Sequence, residues 1–333
     1  MLQRNTLINV LNINIKNCAC VSLFRAMASL RATEKEITIK APWGNIKGLT
    51  WGDPTNQPIL LSPGRIVPCS GFRPLILRLP TNFFYVSIDL PGNGYSDHLP
   101  PGGRFTIWDL VPTLTLVAEH FKWKHFIYIA HSLGTAIGKY FNMAYPGMMT
   151  KVVDLDPVPA YHTVTPEEIP IWYKDIYGSH YQDKSYKKHT SGKETAPTYS
   201  YQQIKEMIMK AQQLSEEAVN HVLDRYIEPV GDGMYRFTYD QRMKSTFKLP
   251  FQPHHLKEMY TSLKTPTLAI ISKGSIDQGS YSRVPFMMDE DAWPHGNYRY
   301  KIVNGGHEAH LENPDCMADD ISKFLLEDIK AKL

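Results

Sequence analysis

The chain of 333 residues lacks the features that mark two large classes of protein. It has no apolar run near the roughly 18–20 residues that cross a bilayer as a helix, so we expect no transmembrane segment. It also has no marked excess of one charge, because 36 basic and 33 acidic side chains leave a net charge of +3. Surfaces that bind nucleic acid usually show a strong basic excess, so we expect no nucleic-acid partner.

Cysteine is scarce, and the few cysteines form no recognisable framework. Cys18 and Cys20 are too close in the chain for an ordinary disulfide, and only Cys69 and Cys316 accompany them. No Cys/His spacing indicates a zinc site, and the 92–94 glycine turn lacks the third glycine of a phosphate-binding loop. The sequence therefore predicts free thiols, no metal site and no cofactor.

Acidic residues are absent from positions 1–33, whereas four basic residues occur there. This pattern predicts an N-terminal extension or targeting segment over 1–33, either an organellar presequence or an unstructured stretch with Met27 as an alternative start. At the other end, Ala331-Lys332-Leu333 is a variant of the Ser-Lys-Leu address that the peroxisomal import receptor reads. We predict a peroxisomal location, with the mitochondrion and the cytoplasm as alternatives.

Short apolar runs alternate with helical patterns over most of the chain. Such strands, covered on both faces by helices, are typical of a mostly parallel sheet, and we predict an α/β fold with eight strands. The strand–helix rhythm stops between 158 and 263, where 201–213 and 215–227 have helical patterns. We predict a core formed by 34–157 and 264–333, with a mainly helical cap inserted at 158–263. The eight predicted strands are 37–40, 46–51, 58–61, 84–89, 126–130, 152–155, 267–272 and 298–303.

The sharpest motif is an apolar strand followed by Ala130-His131-Ser132-Leu133-Gly134 and then a helix. A nucleophile elbow places its serine on a strained strand-to-helix turn whose flanking positions must be small. This context predicts Ser132 as a nucleophile. The amide of Leu133, at the start of the helix, is then expected to bind the oxyanion.

A nucleophilic serine needs a base and an acid that orients the base. His307 follows Gly305 and Gly306 after the last strand and is the predicted base, with His310 as the competing histidine. Asp277 follows the preceding strand and is the predicted acid, with Asp154 and Asp156 as the alternatives at the end of the 152–155 strand. The second oxyanion donor should come from the loop after the third strand, where the amide of Arg65 is the candidate.

Several segments resemble the serine hydrolase-like proteins of animals, including insect members, within the α/β-hydrolase superfamily. The resemblance covers about residues 35–328 and is clearest in the segments Pro42-Trp43-Gly44, 88–96, His131-Ser132-Leu133-Gly134 and Asp240-Gln241-Arg242. It implies an α/β-hydrolase fold, Ser132 as nucleophile and His307 as base. The chain departs from the family pattern at Ala130, where glycine is usual, and at Pro63 and Arg65, where the family has histidine and an aromatic residue.

A serine nucleophile favours acyl transfer to water, through attack on a carboxylic ester or thioester and an acyl-enzyme intermediate. We therefore predict a hydrolase acting on a small-molecule acyl ester or thioester. The alternative is a catalytically impaired protein of the same fold that binds a ligand, which the departures at Pro63 and Arg65 suggest.

Overall fold

The computed structural model describes residues 30–157, 159, 165–190, 192–245 and 251–328. Almost all of the predicted targeting segment 1–33 lies outside the described residues. Ala331-Lys332-Leu333 also lies outside them, so the predicted address and location stay predictions. In the part of the chain that the structure describes, no helix has the length and hydropathy needed to cross a membrane.

Eight strands form the main sheet, in the spatial order β1-β2-β4-β3-β5-β6-β10-β11. Strand β2 is antiparallel to both of its neighbours, β1 and β4, and every other pair of neighbouring strands is parallel. The predicted eight-stranded, mostly parallel sheet is confirmed. The strands are β1 (Lys35–Ala41), β2 (Gly44–Trp51), β3 (Gln57–Ser62), β4 (Phe83–Ile88), β5 (Phe126–His131), β6 (Met149–Leu155), β10 (Thr267–Ser272) and β11 (Tyr298–Val303).

Helices cover both faces of this sheet, which explains why its central strands are apolar at successive positions. Every residue of β4, β5 and β10 is buried. The helices on one face are α2 (Pro112–Phe121) and α3 (Leu133–Ala144), and those on the other include α1 (Arg73–Ile76), α11 (Ala309–Glu312) and α12 (Ala318–Leu326). Both sides of these three strands are thus removed from water, and neither side needs polar residues.

The segment between β6 and β10 contains both helices and a small sheet. Its helices are α4 (Ile169–Tyr173), α5 (Asp183–Thr190), α6 (Tyr201–Gln212), α7 (Glu216–Asn220), α8 (Leu223–Tyr226) and α9 (Pro253–Thr261). Its strands β7 (Thr198–Ser200), β8 (Ile227–Gly231) and β9 (Met234–Phe237) form an antiparallel sheet in the order β7-β9-β8. We refer to residues 165–245 of this segment as the cap.

The helix predicted over 215–227 is interrupted, and it ends one residue earlier than predicted. The chain forms the two short helices α7 and α8 and then turns into strand β8. Pro229 lies within β8, three residues beyond the end of α8. A proline in a helix interior removes a hydrogen bond and clashes with the preceding turn, so the helix could not have continued through this residue. Gly231, Asp232 and Gly233 all have positive φ angles, and they form the tight connection that lets β9 pair with β8.

Buried charges attach the cap to the core. The guanidinium of Arg225, at the end of α8, lies 2.6 Å from the carboxylate of Asp89, just beyond β4. The exposed fractions of these two side chains are 1% and 0%. Asp89 also accepts a hydrogen bond from the amide of Cys69. A buried ion pair of this kind holds its two elements together because separating it would leave an unpaired charge in an apolar interior.

Candidate active site

Ser132 lies at the turn between β5 and α3, in a strained backbone conformation. Its φ and ψ angles are 49° and −116°, a region that side-chain-bearing residues rarely adopt. The turn depends on Gly134, because a methyl group there would lie 2.4 Å from the carbonyl oxygen of Ser62. The geometry is that of a nucleophile elbow, with the serine side chain held at the edge of the sheet.

His307 reaches Ser132 from the loop that follows β11. Its Nε2 atom lies 2.8 Å from the Ser132 hydroxyl oxygen. Its Nδ1 atom lies 2.5 Å from Oδ2 of Asp156. The structure therefore joins a hydroxyl, an imidazole and a carboxylate in one hydrogen-bonded chain, although 175 positions separate the serine from the histidine.

The carboxylate beside His307 belongs to Asp156. The structure therefore contradicts the predicted choice of Asp277 as the acid that orients the histidine. The loop after β10 folds into a short helix, α10 (Lys273–Asp277), which leaves the Asp277 side chain exposed at its last position. Asp156 follows β6, which lies between β5 and β10 in the sheet. Asp154, the other alternative, is buried and forms an ion pair with Lys139 at 2.6 Å.

Three further groups hold the Asp156 carboxylate in place. It accepts hydrogen bonds from the Ser272 amide at 2.9 Å, from the Tyr281 hydroxyl at 2.9 Å and from the Ser275 hydroxyl. Burial raises the pKa of this carboxyl, but the hydrogen bonds from His307 and the serines outweigh burial, so its pKa is lowered. Asp156 is thus ionised and fixed in orientation at neutral pH.

Burial disfavours the charged form of His307, but the hydrogen bond to Asp156 and the charges of Glu308 and Asp156 outweigh it. The pKa of His307 is therefore raised above its usual value. The ring is polarised toward accepting a proton on Nε2, the nitrogen that faces the serine. This is the electrostatic arrangement that a general base requires.

Two other histidines lie behind this group and are inaccessible. His131 and His310 are 1% and 2% exposed, and their ring centroids are 4.2 Å apart. Burial, with the charge of His307 for one and of His131 for the other, lowers the pKa of each to about 3. His307, and not the competing His310, is the ring in contact with the serine hydroxyl.

Of the two predicted oxyanion donors, Leu133 follows Ser132 directly in the chain, whereas Arg65 lies in the loop after β3. Leu133 begins α3, where the first amides of a helix have no acceptor within the helix. A methyl group on Gly64 would lie 3.1 Å from Cβ of Ser132, so the loop after β3 approaches the serine closely. The Arg65 side chain turns to the cap, where it donates hydrogen bonds to the carbonyls of Met243 and Lys244 at 2.9 and 2.8 Å. The oxyanion roles of the Leu133 and Arg65 amides stay predictions.

A cavity of about 460 Å³ opens beside Ser132 and His307. The cap supplies one wall, which carries both apolar and polar side chains. Its lining includes Ile66, Met207, Ile208, Phe237, Tyr239 and Gln278. This volume accommodates a small or medium-sized ligand.

Sequence reasoning missed the groups that fix Asp156. Ser272, Ser275 and Tyr281 lie more than 110 positions from it. None of them belongs to a short motif, and each is a common residue type. No local signal could have identified them, because their role arises only when β6 and β10 become neighbours.

Comparison with known proteins supports the fold described above. Residues 58–314 match the family model described as the alpha/beta hydrolase fold. A serine hydrolase-like protein from Danio rerio is 26% identical over 304 residues, which cover 89% of this chain and 90% of that protein. Serine hydrolase-like protein 2 from Homo sapiens is 28% identical over 87% of this chain and 93% of its own length. The predicted resemblance to this group of animal proteins is confirmed.

The fold is also similar to solved structures. A hypothetical protein from Pseudomonas aeruginosa PAO1 superposes with a TM-score of 0.71 at 20% identity, over 88% of this chain and 99% of that one. The similarity at this identity concerns the fold alone. Since the family model spans most of the chain, the protein belongs to the α/β-hydrolase fold family.

Proposed function

We propose that the protein hydrolyses a small carboxylic ester or thioester through an acyl-enzyme on Ser132. The observation that carries the proposal is the continuous contact from the serine hydroxyl through His307 to Asp156, at 2.8 and 2.5 Å. The cavity beside Ser132 and His307 adds to it, because it gives a small substrate room to reach the hydroxyl. The match to the α/β-hydrolase fold family and the similarity to serine hydrolase-like proteins support the more general statement that the protein is a hydrolase.

In the proposed first half-reaction, the Ser132 oxygen attacks the acyl carbon while Nε2 of His307 takes the hydroxyl proton. Asp156 keeps the proton on Nδ1 and stabilises the imidazolium. The developing oxyanion is bound by the amide of Leu133 and by an amide of the 64–65 loop. His307 then gives its proton to the leaving alcohol or thiol, whose bond to the acyl carbon breaks.

In the second half-reaction, a water molecule replaces the leaving group in the cavity. Nε2 of His307 takes a proton from this water as its oxygen attacks the acyl carbon. The collapse of the tetrahedral intermediate returns the proton to the Ser132 oxygen and releases the carboxylic acid. No redox group or phosphate-binding loop is required by either half-reaction.

The test is covalent labelling by a fluorophosphonate together with turnover of a short p-nitrophenyl ester. We expect the wild type to label at Ser132, as peptide mass spectrometry would show, and Ser132→Ala to lose both labelling and turnover by about 10⁴-fold or more. Ser282→Ala is the matched control and should keep both labelling and turnover, since its exposed hydroxyl donates to the carbonyl of Gly279 and does not contact the triad. Full turnover by a folded Ser132→Ala protein would refute Ser132 as the nucleophile. A wild-type protein that neither reacts with the probe nor turns over the ester would support the ligand-binding alternative.

A further inference from the structure

Three buried side chains behind the triad point polar atoms at one another. They are His131, Glu308 and His310, with exposed fractions of 1%, 7% and 2%. One possible metal-binding atom from each of the three side chains lies within 4.8 Å of the other two. The unpaired atoms are Nδ1 of His131, Oε2 of Glu308 and Nδ1 of His310. Among the described residues, none of these three atoms has a hydrogen-bond partner. Buried polar atoms almost always have a hydrogen-bond partner, so three unpaired atoms in one place need a physical explanation.

The protonation of His131 makes the arrangement more demanding. Its Nε2 atom lies 2.9 Å from the backbone carbonyl oxygen of His307, which can only accept a hydrogen bond. The neutral ring therefore carries its proton on Nε2, and Nδ1 presents a bare lone pair. That lone pair faces Oε2 of Glu308 at 3.7 Å. Two acceptors that face each other in a buried site repel unless a cation lies between them.

A proton cannot satisfy all three atoms, because a hydrogen bond joins two atoms about 2.5–3.2 Å apart. A proton between Glu308 and His131 would leave the third atom, Nδ1 of His310, unpaired. A metal ion accepts three donors at once. Two imidazole nitrogens and one carboxylate oxygen form a donor set that Zn²⁺ binds well.

A zinc ion would draw the three donor atoms, which lie within 4.8 Å of one another, closer together. Tetrahedral bonds of about 2.0–2.1 Å place neighbouring donor atoms roughly 3.4 Å apart. The 3.7 Å separation between His131 and Glu308 is close to that value. Gly64 keeps the space beside His131 free, because a methyl group there would lie 2.8 Å from Nδ1. The hydrogen bond from Nε2 to the His307 carbonyl resembles the outer contacts that orient metal-binding histidines.

We propose that His131, Glu308 and His310 form a Zn²⁺ site immediately behind the triad. Two of its ligands are chain neighbours of the reacting residues, since His131 precedes Ser132 and Glu308 follows His307. Metal binding at this site would therefore affect the positions of the nucleophile and the base, although the ion itself would not contact a substrate. The proposal concerns metal binding and does not depend on the ester hydrolysis proposed above.

The experiment is metal titration of the full chain after removal of bound metal with a chelator. We expect isothermal titration and elemental analysis to show one tightly bound Zn²⁺ per chain. Co²⁺ in its place should give the intense visible absorption of a tetrahedral complex. His310→Phe keeps a ring of similar shape, Glu308→Gln keeps the side-chain volume, and each should weaken binding by about 100-fold or more.

The matched control is the double variant His254→Phe, His255→Phe. These exposed neighbouring rings, with centroids 4.0 Å apart, are the most evident surface competitor among the described histidines. The control should bind Zn²⁺ as the wild type does. If His310→Phe fails to fold in a thermal melt, Glu308→Gln carries the test. The proposal is overturned if wild type takes up no Zn²⁺ at micromolar concentration, or if binding survives Glu308→Gln or disappears in the control.

Discussion

The assignment of Asp156 as the triad acid can be tested by a single change of atom. In Asp156→Asn, one carboxylate oxygen becomes an amide nitrogen, and the side chain keeps its shape. The Ser272 amide and the hydroxyls of Ser275 and Tyr281 all donate to this side chain. The Ser272 amide and the Tyr281 hydroxyl both donate to Oδ1, so the amide oxygen stays there and the amide nitrogen takes the Oδ2 position, which faces Nδ1 of His307.

An NH₂ group beside Nδ1 favours the wrong tautomer of the imidazole. Nδ1 must then accept, and the proton moves to Nε2, the nitrogen that has to take the proton from Ser132. The base is lost although no atom has been displaced. The analogous change in a well-characterised serine protease lowers kcat by about 10⁴-fold. Such a loss corresponds to about 5 kcal/mol in the activation free energy.

The assay is the initial rate of p-nitrophenyl ester hydrolysis, with the fluorophosphonate labelling rate as a second readout of the nucleophile. Asp277→Asn is the matched control, because it makes the same atomic change at the exposed carboxylate that sequence order favoured. We expect Asp156→Asn to lose about four orders of magnitude in both rates. Asp277→Asn should retain both rates within about twofold, as substitutions at exposed positions usually do.

The two variants also separate a catalytic effect from a folding defect. Thermal denaturation should show Asp156→Asn to be folded at the assay temperature. Retained activity in a folded Asp156→Asn protein would refute the assignment of the acid. Loss of activity in Asp277→Asn, with Asp156→Asn active, would restore the order that the sequence favoured.

Three other predictions concern the cap and the stability of the protein. Arg225→Met leaves Asp89 charged and buried, so urea denaturation should show a loss of about 3–5 kcal/mol, whereas Glu36→Gln at the exposed end of the same cluster should cost less than about 1 kcal/mol. Arg65→Met removes two hydrogen bonds to cap carbonyls; it should raise KM about tenfold, more than it lowers kcat, and an unchanged KM would refute the role of this contact in binding. Burial and nearby arginines lower the pKa of His221 to about 4, so the unfolded chain binds a proton between pH 6.5 and 4 that the folded chain excludes. Stability should therefore fall as pH falls through this window, and His221→Gln should flatten the fall in pH-dependent melts.

The main sheet was predictable because its signal is local. Each buried strand is a short apolar run, and each run of the core was followed by a break or a helical pattern. Ser132 was predictable for the same reason, since a strand, a turn with small residues and a helix are adjacent in the chain. His307 followed from its position directly after Gly305 and Gly306.

In the cap, sequence patterns indicated the helix at 201–213 but missed the small antiparallel sheet, where long-range pairing competes with local preference. The 215–227 stretch begins with a serine cap and acidic residues, both of which favour a helix. Strand β9 pairs with residues that the local pattern assigns to the end of that helix and to the turn beyond it. Pairing between strands depends on segments that meet only after folding, and no window of sequence contains both.

The sequence by itself determined the strand–helix order, the strained serine and the histidine that follows the last strand. Only the tertiary structure decided which aspartate reaches that histidine, because the choice depends on the path of each loop above the sheet. Asp277 is carried outward by a short helix, whereas Asp156 lies beside β10 and is held there by partners from a distant part of the chain. The same is true of the three unpaired atoms behind the triad, which come from β5 and from the loop and short helix after β11. Distances between such groups are set by packing, and a linear order of residues does not contain them.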